Sequence, residues 1–467
     1  MKARPNILVV AADQLSAQAL PAYGNPDVAT ANIDRVLGRG VRFGTCYTPC
    51  PLCQPARAAY WTGRWPHQTG VLSNGRKHPV PPVPDDMPTL GALFRDAGYE
   101  TVHFGKTHDA GSLRGFEVVP AEQAPLEGTA AWPVNYDSRQ DVDTTAKAVA
   151  YLRGRPRRPF LAVVDLNNPH NICGWVGENA GAHGDEPIPG PLPPLPDNFR
   201  ARDFERLPRP VQYICCSHNR QAQTAGWNET NFRHYLAAYY HYVGRLDGCV
   251  GAVLDALEGG PGTGDTLVVF MVDHGDSMAG RGMVTKQVSF YDETTRVPLA
   301  FAGPGVVDDG RQLDAPLVSL LDLLPTLCDA AGIAAPRDLW GRSLGRWLGG
   351  DRHGSPHDYL ASEWHTEWGF TIEPGRMIRT PGWKYTRYLE GDGEQLYDLA
   401  ADPGEIDSRI GEPACAGVLD EHRRLLAEHV RQTGDPFFEL SWVADPRWRS
   451  HPAGYRNHRG PAASMLE

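Results

Sequence analysis

The chain has 467 residues, 41% hydrophobic and 22% charged, which is the balance of a chain that buries a substantial core in two or three units. Its 50 glycines and 41 prolines mark it as loop-rich, and the composition excludes collagen, coiled coil and general disorder. A formal net charge of −11 with no long Lys/Arg run argues against nucleic acid as a partner. No stretch reaches the roughly 18 consecutive apolar residues of a membrane span.

The first apolar run, Ile7–Ala12, follows a basic start but passes straight into Asp13-Gln14 without a small-residue cleavage site. It reads as a core strand rather than a signal peptide. Short apolar runs at 101–104, 160–166, 267–272 and 297–302 read as further strands, with helix-like stretches at 32–39, 89–97, 144–152 and 231–257. Continuously apolar strands alternating with helices predict an α/β fold, a large mostly parallel sheet sandwiched by helices. Ligands of such sheets bind beyond the carboxyl ends of the strands. Asp13, Lys106, Asn167 to His170 and Asp273-His274 all follow predicted strands.

The segment 185–197 is rich in proline and reads as an extended loop. After Gly349-Gly350-Asp351 the texture becomes aromatic and alternating, at 359–361, 376–379, 383–388 and 395–399, with turns at Pro381-Gly382 and 391–393. A helix is predicted over 415–433. This divides the chain into a catalytic domain, 1–350, and a smaller C-terminal subdomain, 351–467, of antiparallel sheet, helix and a frayed tail from Pro446. The nine cysteines are odd in number and form no regular framework, which points to a reducing, cytoplasmic compartment.

The segment 48–64 is the most informative. Cys53 stands just ahead of Pro55 and Arg57, at the start of a helix-like run. A group placed there meets unsatisfied N–H donors and the positive end of the helix dipole, which suits an oxyanion, and Arg57 adds a planar cation. Cys50 and Cys53 also have redox or zinc spacing, but no second pair matches it. A merely buried thiol is the plain alternative.

Cys53-Gln54-Pro55-Ala56-Arg57 resembles the C-x-P-x-R signature of the type I, formylglycine-dependent sulfatases of the alkaline-phosphatase-like superfamily. In that family the Cys is oxidised after synthesis to formylglycine. The resemblance continues in order along nearly the whole chain. Pro5-Asn6-Ile7-Leu8 leading to Asp13-Gln14, with 30–35 and 40–43, looks like the family's opening block, and Thr62-Gly63-Arg64-Trp65-Pro66-His67 like its TGRxPH continuation. Gly105-Lys106-Thr107-His108, Asn168-Pro169-His170, 272–276 with Lys286, 296–299 and 319–326 resemble the later elements. The stretches 395–399 and 402–405 look like the C-terminal hairpin.

The resemblance implies a sulfuric ester hydrolase with an alkaline-phosphatase-like fold. Asp13, Gln14, Asp273 and His274, together with residue 53, would hold one divalent cation, and oxygen-rich ligation favours calcium. Gln14 and His274 depart from the common Asp and Asn, which leaves manganese and zinc compatible. Formylglycine at 53 would hydrate to a gem-diol, one hydroxyl attacking sulfur and the other later expelling sulfate. Arg57, Lys106 and His108 would orient the diol. His170 and Lys286 would contact the sulfate and the bridging oxygen, His170 protonating the leaving group. Ala56 stands where many members have Ser, while the Cys, Pro and Arg expected to matter for maturation are present. Tyr23, Arg64, His67 and Asp276 read as structural.

The implied partners are a small-molecule or carbohydrate sulfate ester and a formylglycine-generating maturation enzyme. Phosphonate monoester and phosphodiester hydrolases form the nearest alternative, since these relatives share formylglycine and the Asp-Gln and Asp-His pairs. Choline sulfatases show that combination too. A non-catalytic binder, or a hydrolase with Cys53 itself as nucleophile, are readings from other classes. Trp175, His183, Trp227, Trp364 and Trp368 lie in segments where specificity loops belong. They would stack on a sugar, enclose a choline-like cation or simply pack. The organic part of the substrate and the oligomeric state are not legible.

Overall fold

In the first strand, β1 (Asn6–Asp13), every residue after Asn6 is buried, a pattern that requires neighbours on both edges and cover on both faces. The computed structural model describes residues 4–440 apart from 76–79, 122–138, 155–158, 180–190, 201–206, 209, 213–220, 222–223, 225, 261–263, 287–288, 366–372 and 390–392. His183, Trp368 and the first part of the Pro-rich segment lie outside the described residues. Within them the strands continue as β2 (Val41–Phe43), β3 (Cys46–Tyr47), β4 (Glu100–Gly105), β5 (Glu117–Val119), β6 (Phe160–Pro169), β7 (Thr266–Val272), β8 (Leu299–Ala302) and β9 (Arg311–Leu313). Then come β10 (Val318–Ser319), β11 (Leu360–Trp364), β12 (Gly375–Arg379), β13 (Trp383–Tyr388) and β14 (Glu394–Asp398).

Eight of these form one sheet in the order β5-β4-β6-β1-β7-β8-β2-β9. All pairings are parallel except the two made by β8, with β7 and with β2. Helices cover the sheet. Arg139–Arg153 and Glu229–Glu258 pack on each other and on β6, Leu90–Asp96 packs on β4, and Cys53–Thr62 packs on Leu323–Ala331. The long helix is fixed at its start by a reciprocal cap, in which Asn228 and Asn231 each accept from the other's backbone N–H at 3.1 and 2.9 Å. No helix among the described residues is long and apolar enough to cross a membrane.

The four C-terminal strands form a separate antiparallel meander, β11-β12-β13-β14, and the helix Ala416–Thr433 packs on β12. Buried charge ties this sheet to the rest of the molecule. Lys384 on β13 donates to Asp292 (2.5 Å) and sits 2.8 Å from Glu405. Glu363 on β11 receives His67 Nδ1–H at 2.6 Å and His67 backbone N–H at 3.2 Å. His67 Nε2 lies 3.1 Å from the carbonyl of Thr433, so both ring nitrogens face acceptors and the ring is an imidazolium. His365 Nε2 adds a contact to Glu363 at 3.1 Å.

Burial works to raise the Glu363 pKa, but His365, His67 and Arg376 outweigh it and hold the carboxyl well below its usual range. A carboxylate whose folded pKa lies below its unfolded value stabilises fully above the unfolded value, about 4.3, and loses that contribution as pH falls towards the folded one. Glu363→Gln should therefore destabilise the protein by about 3–5 kcal/mol at pH 7, the cost of leaving one buried partner behind. In urea melts the deficit should narrow as the pH is lowered below about 4.3.

Candidate active site

The four central strands β4, β6, β1 and β7 run parallel, so their carboxyl ends lie side by side at one edge of the sheet. Asp13 ends β1, Lys106 follows β4, His170 follows β6, and Asp273-His274 follow β7. Gln14 adopts a left-handed backbone (φ 66°), uncommon for a residue with a side chain. It is held there by its N–H to Asp273 Oδ1 (3.1 Å) and by the Tyr239 hydroxyl, which donates to its carbonyl (2.8 Å).

Cys53 is the first residue of the helix Cys53–Thr62, and every residue of that helix except Gln54 is buried. Arg57, one turn on, therefore lies on the same helical face as Cys53. Its guanidinium is buried and meets three carboxylates: Asp13 Oδ2 at 3.2 Å, Asp165 Oδ2 at 2.5 Å and Asp273 Oδ2 at 3.1 Å. Because Arg57 takes Oδ2 of both Asp13 and Asp273, the two Oδ1 atoms face the other way. Each lies 3.9 Å from His274 Nε2. His274 Nδ1 is 2.9 Å from the Gly275 carbonyl and so carries the proton there, which leaves Nε2 facing inward, 3.0 Å from Cys53 Sγ.

The opposite side of the cluster is cationic. Lys286 Nζ is 2.9 Å from Cys53 Sγ and donates to Gln14 Oε1 at 3.1 Å. Lys106 Nζ is 2.5 Å from Asp13 Oδ2 and donates to Asn167 Oδ1 at 3.3 Å. His108 is only partly buried, and it helps to hold the Cys53 thiol pKa down. His170 is buried, and among the described residues its Nδ1 has no hydrogen-bond partner. All the residues singled out from the sequence for the chemistry thus lie around one point.

Burial works to raise the Cys53 pKa, but Lys286, His274 and Lys106 prevail and hold the thiol well below its usual range. Burial, then the charges of Lys106 and Lys286, push His170 down to about 3, so its ring is neutral at pH 7. Asp13 and Asp273 move apart. Burial and the neighbouring Asp13 charge push Asp273 up, whereas Lys106, His170 and Lys286 overcome burial at Asp13 and push it down. Burial opposes a charge on His274, yet the charges of Asp273 and Cys53 push its pKa up to about 9.

These residues fit a divalent cation. The donor atoms of Asp13, Cys53, Asp273 and His274 all lie within 4.8 Å of one another. Ligands on opposite sides of an ion with bonds of roughly 2.3–2.6 Å stand about 5 Å apart. The inward carboxylate oxygens also have the right chemistry, as does the inward imidazole nitrogen once a cation displaces its proton. A second group, His67, Glu363 and Asp435, has comparable spacing. It does not fit a cation, because Arg376 clamps both oxygens of Asp435, at 2.6 and 2.8 Å, and both ring nitrogens of His67 are engaged, by Glu363 and the Thr433 carbonyl.

Sequence reasoning missed several residues that shape the site. Asp165 receives Arg57 and lies 3.4 Å from His103 Nε2, and its signal was a lone charge inside the apolar run of β6. Asp141 gave no such signal. It accepts the backbone N–H of Asn167 (2.6 Å) and Asn168 (2.9 Å) and the Asn168 side chain (2.7 Å), fixing the segment that carries His170. Trp175, Trp227 and Trp364, the described members of the aromatic set, fall on the packing side of the choice left open above. Trp175 lies 6.1 Å from Trp227 and 6.4 Å from Tyr235, ring centre to ring centre, and Trp364 is buried in the second core. Cys50 is also in that second core, so it does not pair with Cys53.

Asp141→Ala should lower kcat by about 100-fold, the typical cost of a misplacement near 1 Å, because Asn167 and His170 lose their support. Single-turnover kinetics should place the loss in the chemical step, with the fold retained by circular dichroism.

A family model described as Sulfatase matches residues 5–333, and one described as N-sulphoglucosamine sulphohydrolase, C-terminal, matches residues 281–432. A Delta 4,5-hexuronate-2-O-sulfatase of Bacteroides thetaiotaomicron is 50% identical over 464 residues, taking in 99% of this chain and 96% of that protein. The solved structure of a 2-O GAG sulfatase superposes with a TM-score of 0.92 at 49% identity, covering 99% of this chain and 100% of that one. A phosphonate monoester hydrolase of Agrobacterium radiobacter shares the fold, with a TM-score of 0.73 at 22% identity over 92% of this chain and 96% of that one. The mixed sheet, the arrangement at its edge and these matches agree: the chain belongs to the sulfatase family and is a hydrolase of sulfate esters.

Proposed function

We propose that this sulfatase removes the 2-O-sulfate from a Δ4,5-unsaturated hexuronate, using formylglycine formed from Cys53 as the source of its nucleophile and calcium as its cation. The observation that carries the substrate is the 50% identity to a Delta 4,5-hexuronate-2-O-sulfatase across 99% of the chain. In this reading residues 1–350 carry the chemistry and the unit from 351 braces it. A bound divalent cation among Asp13, Gln14, residue 53, Asp273 and His274 would neutralise sulfuryl oxygens and lower the pKa of an oxygen nucleophile. Cys53 Sγ marks the place where a hydroxyl of hydrated formylglycine would stand.

The chain's own residues do the rest. Arg57 favours the charged forms of Asp13 and Asp273 and engages one oxygen of each, leaving the other turned inward. Lys286 and Lys106 surround residue 53 with positive charge, which orients an oxygen substituent there and receives the anionic sulfate, and His108 stands beside it. His170 begins neutral because burial, and then the charges of Lys106 and Lys286, oppose its charge. A sulfate docked against those two lysines compensates them, and His170 can then hold the proton that the departing sugar oxygen needs. The same anion-binding chemistry would admit a phosphonate monoester or phosphodiester, but the likeness to such a hydrolase is one of fold alone.

Peptide mass spectrometry of protein made alongside a maturation enzyme should find the aldehyde or its hydrate at position 53. An active preparation with only thiol there would overturn the nucleophile. On one preparation of measured occupancy, kcat/KM should be highest for an unsaturated 2-O-sulfated uronate disaccharide. It should be lower for nitrophenyl sulfate and lowest for a matched phenylphosphonate monoester. A preference for the phosphonate would overturn the proposed substrate.

Asp13→Ala and Asp273→Ala should each lower kcat/KM by more than about 100-fold, beyond the roughly 10–100-fold usual for residues that only support a ligand. Asp27→Ala, on the surface, should leave it unchanged. Activity that survives chelators and both buried substitutions would remove the cation.

A further inference from the structure

We infer that Asp276 is a positioning residue that orients the Gln14 side-chain amide, turning its oxygen towards the cation cluster; this rests on the proposed reading of that cluster. A carboxamide is nearly symmetric in shape, so its partners decide which end faces which way. Gln14 Nε2 donates to Asp276 Oδ2 at 2.8 Å. At the other end, Gln14 Oε1 accepts from Lys286 Nζ at 3.1 Å and from Cys173 Sγ at 3.3 Å. A flipped amide would set its oxygen against a buried carboxylate and its NH2 against a buried ammonium. Both contacts are repulsive where water cannot screen them.

Asp276 is itself held in place. Its Oδ1 accepts the Tyr235 hydroxyl and the Met278 N–H (2.9 Å), and the Tyr235 hydroxyl accepts the N–H of Thr285, next to Lys286, at 2.7 Å. One set of contacts therefore fixes a partner at each end of the Gln14 amide, Asp276 at its nitrogen and Lys286 at its oxygen. It also moves a negative charge from position 14 to position 276. The amide ligand is neutral, and the carboxylate behind it polarises the amide so that electron density gathers on the inward oxygen. A carboxylate at position 14 would then be a loss rather than a gain, because it would face Asp276 at hydrogen-bond distance, and the two would either repel or share a proton that an incoming cation must displace.

The test is isothermal titration calorimetry of calcium into the metal-stripped full-length protein, for wild type, Asp276→Asn, Gln14→Glu and the double variant. An amide at 276 must turn its NH2 either on Gln14 Nε2 or on the Tyr235 and Met278 donors. Asp276→Asn should therefore weaken calcium binding by about 10–100-fold. Gln14→Glu should weaken it too, despite the added negative charge. In the Gln14→Glu background, Asp276→Asn should instead tighten binding by about 10-fold or more, a reversal of sign that general damage to packing would not produce.

An Asp276→Asn affinity within about twofold of wild type, or the same direction of change in both backgrounds, would overturn the inference. If Asp276→Asn alone fails to fold by circular dichroism, the comparison of Gln14→Glu with the double variant decides: tighter binding in the double supports the inference, and unchanged or weaker binding overturns it. A wild type that binds no divalent cation removes the cation reading and this inference together. A wild type that binds, with variants unaffected, removes this inference alone.

Discussion

The geometry of the site depends on one buried guanidinium. Arg57 is fully buried and meets carboxylates from three adjacent strands, Asp13 on β1, Asp165 on β6 and Asp273 beyond β7. A charge so placed costs several kcal/mol to desolvate, and only close pairing offsets that cost. The pairing works in both directions. Without Arg57, Asp13 and Asp273 would repel each other and one would take up a proton, the tendency already visible in the raised pKa of Asp273. With it, one oxygen of each is engaged and the other is left for the cluster. A lysine could not do this, because a point charge cannot present several N–H donors in a fixed plane to three partners.

How much of this was legible in the sequence follows from which signals are local. Residues that end buried strands were legible, because an apolar run that stops at Asp13 or Asp273-His274 announces both the strand and its carboxyl end. The helix beginning at Cys53 was legible for the same reason, and the motif around it named the family. The direction of β8 was not. Its run of four residues has no periodicity that distinguishes parallel from antiparallel, and only its neighbours β7 and β2 decide. Asp141 and Asp276 were passed over because what matters about each is a partner far away in the chain, Asn167 at 26 residues and Gln14 at 262. For Trp175 and Trp364 the sequence left packing and binding both open, since composition alone cannot tell an aromatic residue that packs from one that binds.

The C-terminal sheet is joined to the catalytic sheet by charge as well as by apolar packing. Lys384 reaches from β13 to Asp292 and Glu405, and Glu363 on β11 grips the turn at His67 just beyond the Cys53 helix. Trp65, two residues before His67, lies in the same apolar cluster as Ile378, Tyr385 and Leu426 of the C-terminal unit. The helix that carries Cys53 and Arg57 is thereby braced at its far end by residues more than 290 positions later in the chain. This explains how a short helix keeps a buried Arg in register with three strands.

The burial of Cys53 also sets a clock on its biosynthesis. The residues that touch its sulfur, His274 and Lys286, come 221 and 233 residues later in the chain. At roughly 5–20 residues per second, a ribosome needs on the order of 10–50 s to go from one to the other. Throughout that interval the stretch around Cys53 has neither its strand β7 nor its lysine, and the thiol is open to another protein. Once Lys286 and the rest of the sheet arrive, the sulfur is sealed beneath a helix whose residues are nearly all buried. Any enzyme that alters this side chain must therefore reach it before the sheet closes over it, or wait for the helix Cys53–Thr62 to unfold.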